Sequence, residues 1–270
     1  MDMRSPKATF DLRAALSEEI RNALVEFETA PDKPKAVHRC RVRLKRARSL
    51  ARIGRTCAPG LANVFNQSAR SLMHTLAHAR DFAALAETAR GLGDKSGAKT
   101  AAALNAVAAS FDARRASLPA MNLDATRAAL RDLMALAQVW PEASARQIDR
   151  GARRIIRRAR IAHRRGDGHR TAQRRHEWRK REKDRLYAVT LLGESWPDDR
   201  ARRAGLNERL SDMLGRERDV LLLIDHIEAE PYLAGGEEAA KRALKRLKRR
   251  EKRLAKRADA LGAKLHEGRA

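Results

Sequence analysis

The chain has 270 residues, a formal net charge of +25, 43% hydrophobic residues and only 4% aromatic residues. This length fits one large domain or two of ordinary size, and the charge predicts an anionic partner. No run approaches the ~18 apolar residues that a membrane-spanning helix needs, and the N-terminus lacks a signal-peptide core, so we expect a soluble cytoplasmic protein. The scarcity of aromatic residues argues against base-stacking platforms for single-stranded nucleic acid.

Helix-forming residues dominate and alternating β-branched runs are missing, so the predicted fold class is all-α. Proline and glycine divide the chain into segments, and Gly166 to Gly168 is predicted to be a turn. In chain order, helices are predicted from Phe10 to Ala30, Val37 to about Thr56, Pro59 to about Leu92, Ala98 to Ser117, Leu123 to Trp140, Glu142 to Arg165 and His169 to Leu192. Two more helices are predicted, one that begins after Pro197 and ends near Ala229, and a last one that begins after Gly236 and reaches Leu265. The two cysteines, Cys40 and Cys57, are expected to be free thiols.

The second predicted helix carries two stripes of different character. Positions three and four apart share a helix face. One face is apolar and can meet a core, through Val37, Cys40, Leu44, Ala47 and Ala51. The other face is basic throughout, with His38, Arg41, Lys45, Arg48, Arg52 and Arg55. Four pairs of like charges are neighbours on this face, and together they destabilise the helix by about 1–2 kcal/mol. No glutamate is interleaved to relieve this repulsion. A solvated charged face is one interpretation, and a groove that binds a polyanion is the other.

The two halves of the chain repeat each other with a constant offset of 138 residues. The offset relates His38 to His176, Arg41 to Arg179 and Lys45 to Lys183. It also relates Pro59 to Pro197 and Arg80-Asp81 to Arg218-Asp219. We therefore predict two copies of a roughly four-helix unit, one in residues 1–140 and one in residues 141–270, with the Leu123–Trp140 helix between them.

His-x-x-Arg followed by a basic run and by Leu-x-x-x-Arg-Asp, all present twice, resembles the CHAD family, named for its conserved histidines and α-helical fold. The resemblance covers about Phe10 to Leu265. It implies two four-helix bundles related by pseudo-twofold symmetry, with a basic central groove or pore that binds inorganic polyphosphate. It also implies an association with polyphosphate granules. The Glu-x-Glu-x-Lys signature of a fused triphosphate tunnel domain is missing, so the chain resembles the stand-alone form.

The resemblance assigns polyphosphate contacts to both repeats. In the first basic helix, the family's pattern is matched by His38, Arg41, Lys45, Arg46 and Arg48, and Arg52 continues the stripe. In the second basic helix, the pattern is matched by His176, Arg179, Lys180, Lys183 and Tyr187. Asp184 stands where a basic residue is usual, and Arg185 is one position early, about 100° around the helix. Arg80 and Arg218 are further candidates, with a structural role for Asp81 and Asp219 as the alternative.

No catalytic motif is recognisable, so we expect a non-enzymatic protein without a cofactor. His74, His78 and Asp81 have metal-ligand spacing, but the second repeat has Arg216 where the first has His78, which argues against a metal. The alternative functions are sequence-nonspecific, histone-like nucleic-acid binding and docking of acidic proteins. The sequence does not predict the oligomeric state.

Overall fold

The computed structural model describes residues 10–29, 34–168, 171–193 and 203–267. Within these ranges the chain forms ten α-helices and no strand, which confirms the all-α prediction. The helices are α1 (Leu12–Thr29), α2 (Pro34–Ile53), α3 (Pro59–Thr75), α4 (His78–Gly93), α5 (Ala98–Ala116), α6 (Leu123–Gln138), α7 (Ala145–Gly168), α8 (Ala172–Leu192), α9 (Ala204–Ala229) and α10 (Glu237–His266). None of the described helices is both long and apolar enough to cross a membrane.

Two predicted boundaries were wrong. The predicted helix from Pro59 to Leu92 is two helices, α3 and α4, because the backbone of Leu76 leaves helical geometry at φ −80° and ψ 4°. The predicted turn at Gly166 to Gly168 is the last part of α7. Gly166 is buried, and a Cβ there would lie 3.3 Å from the Trp178 ring, so this glycine serves close packing rather than a turn. The predicted starts at His169 and Pro197 lie outside the described residues.

The chain divides into two compact units, and the first comprises residues 1–76, 121–165 and 180–208. Its core takes apolar side chains from α1, α2, α3, α6, α7 and the end of α8. Phe65 and Trp140 are fully buried at its centre and meet edge to face, with ring centroids 5.9 Å apart.

Two glycines let helix backbones approach closely inside the first unit. A Cβ on Gly151 of α7 would lie 2.3 Å from the carbonyl oxygen of Ile53, at the end of α2. A Cβ on Gly54 would lie 2.6 Å from atoms of Leu12 and Trp140. Real Cβ atoms cannot sit so close to the neighbouring atoms, so only glycine permits this crossing of α7 over the end of α2. The crossing brings the basic side chains of α7 beside those of α2.

The second unit comprises residues 77–120, 166–179 and 209–270. Its core is formed by α4, α5, α9, α10 and the 3₁₀ turn Pro231–Ala234. Phe82 and Phe111 stack in this core with ring centroids 5.9 Å apart. Each unit draws segments from both repeats of the sequence, so the division into residues 1–140 and 141–270 stays a prediction about the internal repeat.

Candidate anion-binding site

Helix α2 has the apolar face that its sequence predicts. Val37, Cys40, Leu44, Ala47 and Ala51 are all buried in the core of the first unit. Burial raises the pKa of the Cys40 thiol to about 12, with a smaller contribution from the nearby Glu26. Cys40 is therefore an uncharged packing residue at neutral pH, and both cysteines are free as predicted.

Three arginines of α2 are paired with acids of α1. Nε of Arg46 donates to Oε1 of Glu19 at 2.7 Å, and Nη1 of Arg43 lies 3.5 Å from the other carboxylate oxygen. Glu19 is only 5% exposed. Arg39 forms an ion pair with Glu26. Arg46, which was predicted to bind polyphosphate, is thus engaged in a largely buried contact that holds α1 against α2.

Two other arginines of α2, Arg48 and Arg52, open onto a cavity of about 150 Å³ in the first unit. Helices α2, α3 and α7 line this cavity together with the short 3₁₀ turn that follows α2. Five arginines and two asparagines dominate the lining, which consists of Arg48, Arg52, Arg55, Ala62, Asn63, Asn66, Arg154, Ile155 and Arg158. We call this space the arginine cavity. Two of its residues, Arg48 and Arg52, belong to the predicted binding set.

Four arginines of the cavity have no ion-pair partner within the residues that the structure describes: Arg48, Arg55, Arg154 and Arg158. Desolvation, followed by the charges of Arg52 and Arg70 and partly offset by Asp184, lowers the pKa of Arg48 to about 10, so Arg48 still carries its charge at neutral pH. Desolvation and neighbouring arginines, Arg181 foremost, also lower the pKa of Arg158. The cavity therefore stores unfavourable like-charge energy that a bound anion would relieve.

Arg52 differs from these four because it has an acidic partner. Its Nη1 lies 2.5 Å from Oδ1 of Asp184 on α8, and Nη1 of Arg181 lies 3.5 Å from the other oxygen of the same carboxylate. The Ser49 hydroxyl donates to the backbone carbonyl of Asp184 at 3.0 Å. Asp184 thus neutralises part of the predicted site.

The other predicted residues of the first unit do not line the cavity. His38 and Lys180 are exposed, and Lys45 and Lys183 are half-buried. Arg41 is half-buried, and its Nη1 donates to the carbonyl oxygen of Met73 at 3.0 Å.

Two predicted residues of the second unit, His176 and Arg218, lie beside a buried ion pair that the sequence did not reveal. Arg175 is 4% exposed and makes two bonds to Glu217, at 2.7 and 2.5 Å. A third bond, of 2.5 Å, joins it to Asp259, and its guanidinium lies 4.8 Å from the centre of the Trp178 ring. His176 and Arg218 line a very small space beside this pair, with a volume of about 10 Å³.

For two further predicted contacts of the second unit, Arg179 and Arg80, the structure shows little beyond their positions. Arg179 is half-buried on α8, and Arg80 lies on α4 with its side chain outside the described part.

The one-position shift of Arg185 places it in the interior, where it is 5% exposed and lies 4.0 Å from the buried Glu182. The amide of Asn207 also donates to Glu182, at 3.0 Å, so this group is a polar part of the core.

Arg154 and Arg158 are the cavity residues that sequence reasoning missed. The basic stripe assigned to α7 was a different set, namely Arg150, Arg153, Arg157, Arg160 and Arg164. Arg154 and Arg158 are four residues apart and flank the buried Ile155, so they lie at the border between the apolar and basic faces of α7. This border position is the feature of the sequence from which the two arginines could have been predicted as candidates.

Among the described residues, no group of three or more His, Cys, Asp and Glu side chains is placed to hold a metal ion.

Comparison with known proteins identifies the family. The sequence matches the family model of the CHAD domain over residues 14–228. The chain belongs to the CHAD family. Its fold is similar to the crystal structure of the CHAD domain from the plant Ricinus communis, with a TM-score of 0.72 and 20% sequence identity over 100% of this chain and 96% of that one. No protein of curated function matches the sequence. The basic helix α10 begins after the part of this CHAD chain that the family model matches.

Proposed function

We propose that this CHAD protein binds inorganic polyphosphate without chemically changing it, and that the arginine cavity of the first unit is its principal binding site. The observation that carries the proposal is the convergence of Arg48, Arg55, Arg154 and Arg158, none with an acidic partner in the described part of the chain, on one concave space. Like charges placed around one space repel each other, and a bound anion relieves that repulsion.

The chemistry of the lining fits a chain of phosphates. Each guanidinium offers a planar fork that can bond two phosphate oxygens at once, and its charge persists at neutral pH. Asn63 and Asn66 add uncharged groups, of which the Asn66 amide already donates to the carbonyl of Ala62 at 2.8 Å. Among the described residues, no aromatic side chain lines the cavity, so these residues offer no platform on which a base could stack. A polyanion without bases therefore fits better than a nucleic acid.

The remaining predicted residues are proposed as weaker contacts outside the cavity. Exposed and half-buried basic groups can attract further phosphates through their charge alone. In the first unit these are His38, Arg41, Lys45, Lys180 and Lys183, and in the second unit they are His176, Arg179 and Arg218. Arg80, whose side chain lies outside the described part, is proposed as a contact on its place in the repeated motif. Arg46 is left out because Glu19 engages it. Association with polyphosphate granules in the cytoplasm would follow from such binding and is part of the proposal.

A competition experiment tests the proposal. Labelled long-chain polyphosphate is bound at about 150–200 mM salt, where weak counterion-release binding is already much reduced. It is then challenged with unlabelled polyphosphate, duplex DNA and single-stranded RNA at equal phosphate concentration. We expect only polyphosphate to displace the label. Equal displacement by all three would show a general polyanion binder and would favour the nucleic-acid alternative.

A further inference from the structure

Asp184 is the acidic side chain that the structure places against an arginine of the cavity. Its side chain is 14% exposed, and that of Arg52 is 23% exposed. The 2.5 Å contact between them is a charge-assisted hydrogen bond in a partly desolvated place. Arg52 also lines the arginine cavity, so the same guanidinium faces both the carboxylate and the space proposed for phosphate.

We propose that Asp184 is an internal counter-anion: it occupies Arg52 in the ligand-free protein and yields this arginine to an incoming phosphate. The inference rests on the proposed function, because it describes how the same cavity is regulated. A carboxylate and a phosphate oxygen bind the same guanidinium edge, so the two compete for Arg52.

The surroundings of Asp184 make such an exchange feasible. Leaving a partly buried carboxylate without a partner would be unfavourable. Arg181 already lies 3.5 Å from the second oxygen of Asp184 and can retain the carboxylate after Arg52 has turned toward a phosphate. The hydrogen bond from Ser49 to the backbone carbonyl of Asp184 holds this turn of α8 in place. The exchange therefore needs only a side-chain movement of Arg52.

This arrangement has two measurable consequences. The affinity for an anion is lower than it would be if Arg52 had no carboxylate beside it, because part of the binding free energy is used to break the ion pair between Arg52 and Asp184. The salt dependence is also weaker, because an arginine already neutralised by Asp184 releases no counterion when phosphate arrives. A purely structural role for Asp184 would change neither quantity in these directions.

The test compares Asp184→Asn with Asp149→Asn. Both substitutions raise the net charge by one, but Asp149 pairs with Arg153 on α7, and neither of these two residues lines the cavity. Binding of tripolyphosphate and of long-chain polyphosphate is measured by calorimetry over a salt series. We expect Asp184→Asn to bind both about tenfold more tightly, since one competing charge-assisted hydrogen bond is removed. Its slope of log K against log salt should steepen by about 0.7–0.9. We expect Asp149→Asn to match the wild type within about twofold.

Weaker binding by Asp184→Asn would overturn the inference, because it would show that Asp184 orients Arg52 for the ligand. Equal changes in both variants would also overturn it, since general charge would then explain the gain. Thermal unfolding of the variants confirms that all are folded. If the wild type binds no polyphosphate at all, the proposed function fails; if it binds and Asp184→Asn binds no better, only this inference fails.

Discussion

The cavity arginines of the first unit and Arg175 of the second unit differ in how their charge is balanced. In the second unit, Arg175 is satisfied by Glu217 and Asp259 and covered by Trp178. In the first unit, the described residues give Arg48, Arg55, Arg154 and Arg158 no acidic partner, whereas Arg52 pairs with Asp184. Desolvation and then its basic neighbours lower the pKa of Arg158. Desolvation also acts to lower the pKa of Arg175, but the carboxylates of Glu217 and Asp259 outweigh it and raise that pKa.

This difference separates a structural arginine from a ligand-binding one. A buried arginine with a full set of acceptors holds elements of the fold together, and removing an acceptor destabilises the protein. A cluster of arginines that mostly lack acidic partners contributes repulsion to the free protein and attraction to an anion. The total charge of +25 does not make this distinction, because it counts every arginine alike, whatever surrounds it.

The largest effect on binding is expected from reversing charge inside the arginine cavity. Arg154→Glu combined with Arg158→Glu should weaken polyphosphate binding about a thousandfold, or about 4 kcal/mol, because two phosphate contacts become repulsive. Stability should be retained, since the new carboxylates can pair with the remaining arginines of the cavity. Fluorescence titration with labelled polyphosphate measures the affinity, and thermal unfolding measures the stability.

The matched control for this double variant lies on the same helix. Arg150→Glu combined with Arg157→Glu makes the same charge change at two exposed positions of α7 that do not line the cavity. We expect it to weaken binding about threefold, through the general field alone. A similar loss in the two double variants would mean that net charge, rather than the cavity, determines binding.

The corresponding change in the second unit should act on stability. Glu217→Gln leaves the 4%-exposed Arg175 with Asp259 as its one remaining carboxylate, and should lower the free energy of unfolding by about 2–4 kcal/mol. Urea denaturation followed by circular dichroism gives this value. Glu238→Gln, at an exposed pair with Lys241, should leave the denaturation midpoint where it is. If Glu217→Gln were as stable as the wild type, Arg175 would not be the structural arginine described here.

The sequence predicted the features that depend on one helix at a time. The two faces of α2 follow from the 3.6-residue period, and all five predicted apolar positions are buried. The repeated His-x-x-Arg and Arg-Asp motifs were sufficient to indicate the family. The break at Leu76 was missed because no glycine or proline marks it, and the end of α7 was misread because Gly166 packs against Trp178.

The composition of the site depends on contacts between helices, which one sequence does not reveal. Arg154 and Arg158 join Arg48 and Arg55 only because Gly151 lets α7 cross close to the end of α2. Arg46 belongs to the same basic run as Arg48, yet it faces Glu19, 27 positions away in the chain. The pairing of Arg52 with Asp184 joins positions 132 apart. The period of a helix assigns faces but not the neighbours that those faces meet.

The measurement that tests the central claim most directly is an arginine footprint. The folded protein is treated with an arginine-specific dicarbonyl reagent at about 150 mM salt, with and without long-chain polyphosphate, and modified peptides are quantified by mass spectrometry. Our account predicts strong protection of Arg55, Arg154 and Arg158 in the arginine cavity. It predicts little protection of Arg249, Arg253 and Arg257, which are exposed on α10. Protection on α10 with none at the cavity would contradict the account.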